Sequence, residues 1–516
     1  MTRAAGIVAG LTLLSRLLGY VRDMAIAWVF GAGLYTDAFI AAFRIPNLLR
    51  RLLGEGALSL AFVPVFCERL GAKGRDEAMA LAGSVFRYLA VVLTVLLAAA
   101  YLAAPGLVRL VVPGFAEDPQ QVALTLHLTR IMLPYTVVVG LLALSMGVLN
   151  GVGRFGPPAA APACLNVTML AAIATGVLWT PDPRERLVWV AAGVLTGGVA
   201  QLCLQLPYLR QAGFNPRLGS WRRHPDLTRI GRMMPPAVFG AAAFQINILI
   251  GTLLGSLLTD GSISYLFFAD RLIQFPLGLI ALSVATAGLP TFSRLVEKGD
   301  LAGLRHTLDV SMRGVLFLTL PAMAGLVALR KPVVGLLFEH GAFSSHAGEL
   351  TAQALLWYAV GLWAVAGLRV VLPVFFALQD CRSPVAAAGL SLLVNAAAGA
   401  ALMTWMGHGG IALGTSIASI LNLALLLRNL ARRLGSVGSR RSAGSFLRMA
   451  TCSLIMGGGV HLMAERLCVQ TSGIEAFLGL VGCVAGGMMI YGVLSLITGS
   501  QELRMLLWAV FRRSGS

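Results

Sequence analysis

The sequence predicts an all-α polytopic membrane protein. It has about fourteen transmembrane helices, arranged as two six-helix lobes (a parallel internal repeat) around a central cavity, plus two extra C-terminal helices. Three observations predict this. First, 57% of the 516 residues are hydrophobic and only 12% charged, with a mean hydropathy of +0.81. Soluble chains average about 45–50% apolar and about 25% charged. Second, apolar runs of about 20 residues, each long enough to span a bilayer, recur along the whole chain. Third, the second half of the chain echoes the first at a nearly constant spacing. So few charges also exclude a long disordered region.

The runs lie near residues 5–30, 35–66, 84–104, 128–149, 158–180, 187–209, 233–258, 263–290, 307–329, 350–377, 385–406, 411–427, 446–465 and 475–498. The first resembles a signal peptide, with Arg3, an apolar stretch from Ala4 to Leu14 and an A-x-A at Ala25–Ala27. Arg16, Arg22 and Asp23 interrupt the way to that site, so it reads as an uncleaved helix. The second and eighth runs are long and carry charges and proline, and are expected to bend. Residues 210–232, with Trp221 and several prolines, read as an amphipathic cytoplasmic linker. The expected domains are 1–209, the linker 210–232, 233–432, and 433–516 with the last two helices and a cytoplasmic tail.

The net charge of +18 comes from 37 Arg and 3 Lys. Nucleic acid is one reading of such charge; membrane topology is the better one. With a cytoplasmic N-terminus, 24 basic residues fall on the cytoplasmic side and 6 on the other. An even number of spans with both termini cytoplasmic follows. The seven Cys are scattered, without a CxxC pair, which indicates neither a disulfide framework nor a zinc site.

The repeat rests on four matches. Phe43-Arg44-Ile45 pairs with Asp270-Arg271-Leu272, Pro64-Val65-Phe66 with Pro290-Thr291-Phe292, Arg154 to Pro157 with Arg382 to Pro384, and Asn166 with Asn395. Their offsets stay between 226 and 229. Six spans per copy is an even number, so the copies share an orientation, an arrangement that suggests a transporter with its site between repeats.

Charges inside apolar runs mark that site, because an arginine at mid-bilayer costs about 2.5–3.5 kcal/mol on insertion scales. The first run carries Arg16, Arg22 and Asp23. The second carries Asp37, Arg44, Arg50, Arg51 and Glu55. The eighth carries Asp270 and Arg271. Arg16 and Asp23 nearly share a helical face, with Arg22 about 120° from Arg16. The plain alternatives stand beside this. Arg50 and Arg51 can snorkel to the interface, Arg16 and Arg22 can fasten helices in ion pairs, and Arg87, Arg130, Arg313 and Arg369 read as structural. No P-loop is present, nor an acid/base, Ser/His/Asp or metal-ligand constellation. Neither an enzyme nor a cofactor is expected, and coupling to the membrane potential or a monovalent cation stays open.

The N-terminal part of the chain also carries a resemblance. Ser15 to Asp23 (SRLLGYVRD), Gly31-Ala-Gly33, Thr36 to Phe39 (TDAF), Arg44 to Arg51 (RIPNLLRR) and Glu55 to Ser59 (EGALS) resemble the MurJ (MviN) family. These are bacterial lipid II flippases of the multidrug/oligosaccharidyl-lipid/polysaccharide exporter superfamily. Phe62-Val-Pro64, Pro113-Gly-Phe115, Asn150 with Arg154-Phe155, and Ala269 to Leu272 extend the resemblance. It implies fourteen helices in two lobes and a polyprenyl-tail groove on helices 13 and 14. It also implies export of undecaprenyl-diphosphate-linked peptidoglycan precursor from the inner to the outer leaflet. The family's cavity arginines fall on Arg16, Arg22, Arg50 and Arg271, its cavity aspartate on Asp37, and its serine on Ser264. Gln274 stands where some members carry an acid.

The expected substrate is thus lipid II, bound by these six residues, with Asp23, Arg44, Arg51, Glu55, Asp270 and Gln274 in support. Asp37 is expected to hold an arginine in place or to weaken the grip for release. The expected setting is the bacterial cytoplasmic membrane, with membrane lipids and cell-wall synthesis proteins as partners, no nucleic acid, and a monomeric state. The rival readings are an exporter of another polyprenyl-linked glycan or of drugs, an intramembrane enzyme acting on the same lipid, and a scaffold of cell-wall synthesis.

Overall fold

The computed structural model describes residues 2–51, 58–215, 225–285, 288–435, 440–467 and 473–504, which form helices and connecting turns with no strand. The first eight helices are α1 (Thr2–Phe30), α2 (Leu34–Arg50), α3 (Leu58–Lys73), α4 (Arg75–Val111), α5 (Pro119–Met132), α6 (Tyr135–Gly151), α7 (Gly156–Trp179) and α8 (Pro183–Gln211). Next come α9 (Pro225–Ser256), α10 (Ser262–Ala285), α11 (Gly288–Glu297), α12 (Leu301–Ala328), α13 (Arg330–Phe338), α14 (Ser345–Val360), α15 (Leu362–Ala377), α16 (Arg382–Met406) and α17 (His408–Leu434). The last two are α18 (Arg440–Leu467) and α19 (Ile474–Ile497).

The element order carries the repeat. Five helices of the first copy start at places matched in the second: α4 at Arg75 with α12 at Leu301, α5 at Pro119 with α14 at Ser345, and α6 at Tyr135 with α15 at Leu362. The starts of α7 at Gly156 and α8 at Pro183 match those of α16 at Arg382 and α17 at His408. All five offsets agree to within one position on either side. A short break after Ala328 divides the second copy of α4 into α12 and α13. The caps repeat as well. Asp118 accepts from the Gln120 N–H at 2.8 Å to start α5, and at the matching place Ser344 accepts from the Ala347 N–H at 3.2 Å to start α14. Each satisfies an orphan donor of a helix first turn. α18 and α19 have no counterpart.

Among the described residues, nine helices are long and apolar enough to cross a membrane. They become ten if α14 and α15, bent by 42°, are one span. The ten match ten of the fourteen expected runs. The first, second, seventh and eighth runs fall outside the set, and three of these four carry the charges singled out above. The fourth and tenth runs are each broken once, before Pro134 and at Gly361. Proline lacks the donor an unbroken helix needs. At Gly361 the Ser416 hydroxyl donates to the Trp357 carbonyl at 2.6 Å, partnering a carbonyl beside the break.

The chain forms two compact units, residues 1–264 with 341–343, and residues 265–340 with 344–516. In the first, Phe62 and Phe66 of α3, Leu81 of α4, Leu144 of α6 and Ile230 of α9 share one buried cluster. α9 therefore packs with the first copy's helices, although the repeat assigns it to the second. Ion pairs hold its start there: Asp226 with Arg69, and Arg229 with Glu68 at 2.8 Å. In the second unit, α12 packs on α18 and α19 through Phe317, Leu320, Met456 and Tyr491. Lipid supplies no hydrophobic drive between spans, so close approach through small residues matters. A Cβ at Gly414 of α17 would meet the Gly399 backbone N at 2.8 Å, so α16 and α17 touch backbone to backbone.

The turns between paired helices use the same positions with different chemistry. Before α7, Arg154 donates to Gln211 Oε1 at 2.9 Å and to the Tyr208 carbonyl at 3.3 Å. Arg75 donates to the Ala212 carbonyl at 2.9 Å. Two cations thus meet the negative end of α8. Before α16 the polarity is reversed: the turn residue is Asp380, and the last turn of α17 supplies Arg433, 2.7 Å away. The Ser383 hydroxyl and N–H, with the Arg433 charge and the Arg382 N–H, hold the Asp380 carboxyl below its ordinary range.

Gln379 is the one non-glycine residue with positive φ among those described, at 56°. At the matching place the first copy has Gly153, with φ 78°. A side chain in the left-handed region costs about 1–2 kcal/mol, partly offset by the entropy glycine loses on folding. Gln379→Gly is therefore expected to stabilise the protein by roughly 0.5–1 kcal/mol, read as a higher unfolding temperature of the purified chain, and Gly153→Gln to lower it.

Candidate functional site

α1 is 29 residues long and places Arg16 at its midpoint. The side chain is exposed and forms no hydrogen bond or ion pair with the described residues. Less than two turns later, Arg22 is held on three sides. Its Nε and Nη2 donate to Asp23 Oδ1 at 3.0 and 2.6 Å, and its Nη1 to Asn166 Oδ1 of α7 at 3.0 Å. Asn166 Nδ2 in turn donates to the Ser15 carbonyl at 2.9 Å. Asp23 is buried and Arg22 nearly so, with side-chain exposures of 3% and 11%. The pair and the amide form a closed polar knot between α1 and α7 in an otherwise apolar contact. A buried charge is tolerated when paired and hydrogen-bonded in this way.

On α2, Asp37 is 2% exposed. Instead of holding an arginine, as expected, its carboxylate caps the start of α10. Oδ2 accepts from the Gly261 N–H at 2.7 Å, and Oδ1 from the Ser264 N–H at 2.8 Å and from the Ser264 hydroxyl. All these residues belong to the first unit. The reason is local: the first amides of a helix lack intrahelical acceptors and carry the positive end of its dipole. Asp37 and Ser264, expected as substrate contacts, thus meet each other directly. Two turns along α2, Arg44 Nη1 donates to the Ile248 carbonyl of α9 at 2.7 Å. Arg50 Nε donates to Asn47 Oδ1 at 2.9 Å within its own helix. Arg51, the C-cap of α2, is half-buried. Glu55 lies outside the described residues.

In the second unit, the Arg271 guanidinium sits 4.8 Å from the centre of the Phe267 ring, a cation–π contact one turn apart on α10. The Gln274 amide donates to Asp270, also one turn apart. An amide at 274 keeps that carboxylate hydrogen-bonded, where a second acid would repel it. Of the residues read as structural, Arg313 pairs with Asp309 and Glu502, and Arg369 donates to the Leu277 carbonyl at 2.9 Å.

Sequence reading noted Asn166 only as a repeat match and missed its bond to Arg22. Asparagine inside an apolar run was the available signal. It also missed the capping of α10, which the Gly261-Ser-Ile-Ser264 stretch before an apolar run could have suggested.

The comparisons with known proteins settle the family. The family described as "Lipid II flippase MurJ" matches residues 26–481. The chain belongs to that family. A lipid II flippase MurJ of Burkholderia cenocepacia is 35% identical over 466 residues, covering 90% of both chains. A probable lipid II flippase MurJ of Rhizobium meliloti is 34% identical over 511 residues, covering 98% of this chain and 95% of the relative. A solved lipid II flippase MurJ in an inward closed conformation superposes with a TM-score of 0.80 at 25% identity, covering 95% of this chain and 98% of that one. An inward-facing multidrug MATE transporter, at 14% identity and a TM-score of 0.65, shares the fold, covering 84% of this chain and 98% of that one. The all-α polytopic fold expected from the sequence is thus the MurJ family's fold.

Proposed function

We propose that this protein translocates lipid II, the undecaprenyl-diphosphate-linked peptidoglycan precursor, from the inner to the outer leaflet of the bacterial cytoplasmic membrane. Family membership supports the substrate. The observation that carries the mechanism is Arg16: an exposed guanidinium at the midpoint of an apolar helix, with no partner among the described residues. Hydrocarbon does not tolerate that charge, so water or an anion must meet it.

Lipid II carries a diphosphate that cannot cross hydrocarbon unpaired. Arg16, Arg22, Arg50 and Arg271 form a cationic cavity and hold the diphosphate with charge-assisted hydrogen bonds, which suit the planar guanidinium fork. The tail stays in lipid. Asp37 and Ser264 keep the start of α10 in place, which orients Arg271 two turns further on. Asp23 and Asn166 aim Arg22. The lobes then alternate between inward- and outward-open states. Both termini lie in the cytoplasm, as the basic residues require. No covalent bond of the substrate changes, so the protein is a transporter and not an enzyme, and it acts as a monomer. An interior-negative potential assists, by about 2.3 kcal/mol per negative charge moved outward per 100 mV.

The test is complementation of a flippase-depleted strain, with lipid II assayed in each leaflet. Arg16→Ala removes a side chain that no described residue holds, so it is expected to reach the membrane in normal amount and yet abolish flipping. Arg271→Ala is expected to do the same. Normal leaflet distribution with both variants overturns the assignment.

A further inference from the structure

The second unit holds a polar pocket of about 300 Å³ that the proposed transport does not use. It is lined by Arg313 of α12, Gly444, Ser445 and Arg448 of α18, and Gln501 beyond α19. Among the described residues its walls carry two guanidinium groups and no carboxylate. The acids that balance them stand behind: Asp309 lies 3.1 Å from Arg313 Nε, and Glu502 lies 3.5 Å from Arg313 Nη1 with its side chain fully buried. Arg448 is fixed by donating to the Thr498 carbonyl at 3.0 Å and to the Ser445 hydroxyl at 3.1 Å, while its Nε is buried with no partner among the described residues. Leu447 on α18 and Leu496 and Ile497 on α19 are exposed, at 68%, 63% and 76%, among residues that open to lipid in a membrane-spanning helix.

A fixed pair of guanidinium groups beside an amide makes a phosphate-sized anion cradle. The volume takes one headgroup phosphate and its glycerol, not a glycan. We propose that this pocket binds the phosphodiester of an anionic phospholipid, whose acyl chains lie along the exposed faces of α18 and α19. The site is separate from the arginines assigned to lipid II, so its failure leaves the proposed transport standing.

The purified full-length protein in detergent is titrated with phosphatidylglycerol, phosphatidylcholine or inorganic phosphate, and its unfolding temperature is followed. Phosphatidylglycerol is expected to raise the midpoint by several degrees and to saturate. Two variants locate the effect. Arg448→Gln removes a phosphate donor. Gly444→Leu fills the pocket with all charges in place, at a position where an added Cβ meets nothing within 4 Å. Each is expected to weaken the apparent affinity at least tenfold. An equal response to phosphatidylglycerol in both variants overturns the site. A response to inorganic phosphate that matches the lipid's and is lost in the same variants overturns the lipid as its occupant.

Discussion

Asp37→Ala is expected to destabilise the protein by about 3–5 kcal/mol. The carboxylate is 2% exposed and accepts from two backbone N–H groups and one hydroxyl at the start of α10. Alanine leaves the two amides buried without acceptors, and each such group costs about 1–3 kcal/mol. Gly261 and Ser264 are themselves buried, so water does not replace the lost acceptors. Asp37→Asn keeps one acceptor oxygen but turns an NH₂ toward a donor, so its cost is smaller, roughly 2 kcal/mol. Ser264→Ala removes only the hydroxyl and leaves the Ser264 N–H bonded, for about 1 kcal/mol. Thermal unfolding of the purified variants gives the order, and a loss in Ser264→Ala as large as in Asp37→Ala contradicts the capping account. Because α10 carries Arg271, the same substitution is expected to lower flipping more than its stability loss alone explains.

The contrast between Arg16 and Arg22 shows how far the sequence could be read. Both stand out because an apolar run makes arginine expensive, and that signal is local. What each arginine meets is not local. Arg22 finds Asn166, 144 residues away, whereas Arg16 finds no partner among the described residues. Periodicity and charge therefore located the helices and the costly residues without showing which of them a second helix holds.

The same limit explains Asp37, whose capping partners lie 224 and 227 residues along the chain. The repeat was more legible. Its constant offset survives in helix starts and caps, because a turn residue acts within a few positions of itself. The ends of α4 were not legible. Arg75, Asp76, Glu77 and Arg109 made the flanks of its apolar run look like loop, yet α4 continues through them from Arg75 to Val111. Charged residues are good helix formers and extend a span beyond its apolar centre.

Glu502→Ala is expected to cost about 3 kcal/mol, far more than a surface glutamate. Its side chain is fully buried, accepts from the Ser500 hydroxyl at 2.9 Å and faces Arg313, which is itself 9% exposed. Removing one member of a buried pair leaves the other charge uncompensated, which typically costs about 3–5 kcal/mol. Asp309 stays 3.1 Å from Arg313, so the loss falls at the lower end. Replacing both Arg313 and Glu502 with methionine and leucine is expected to recover part of it, because the one charge left without its cation, Asp309, is 24% exposed and reaches solvent. A double-mutant cycle on unfolding free energy isolates that coupling.

The pH dependence follows from the same contacts. Burial pushes the Glu502 carboxyl up, but its own N–H, the Ser500 and Ser445 hydroxyls and the Arg313 charge outweigh it and hold the group below its ordinary range. A carboxyl depressed in the folded state binds fewer protons there than in the unfolded chain. Its stabilisation is complete above the unfolded value of about 4.3 and disappears as pH falls through the folded value. Wild-type protein is thus expected to lose unfolding temperature more steeply than Glu502→Gln on acidification below about pH 4.3. Parallel acid profiles for the two proteins place the carboxylate outside the pair and remove its proposed part in stability.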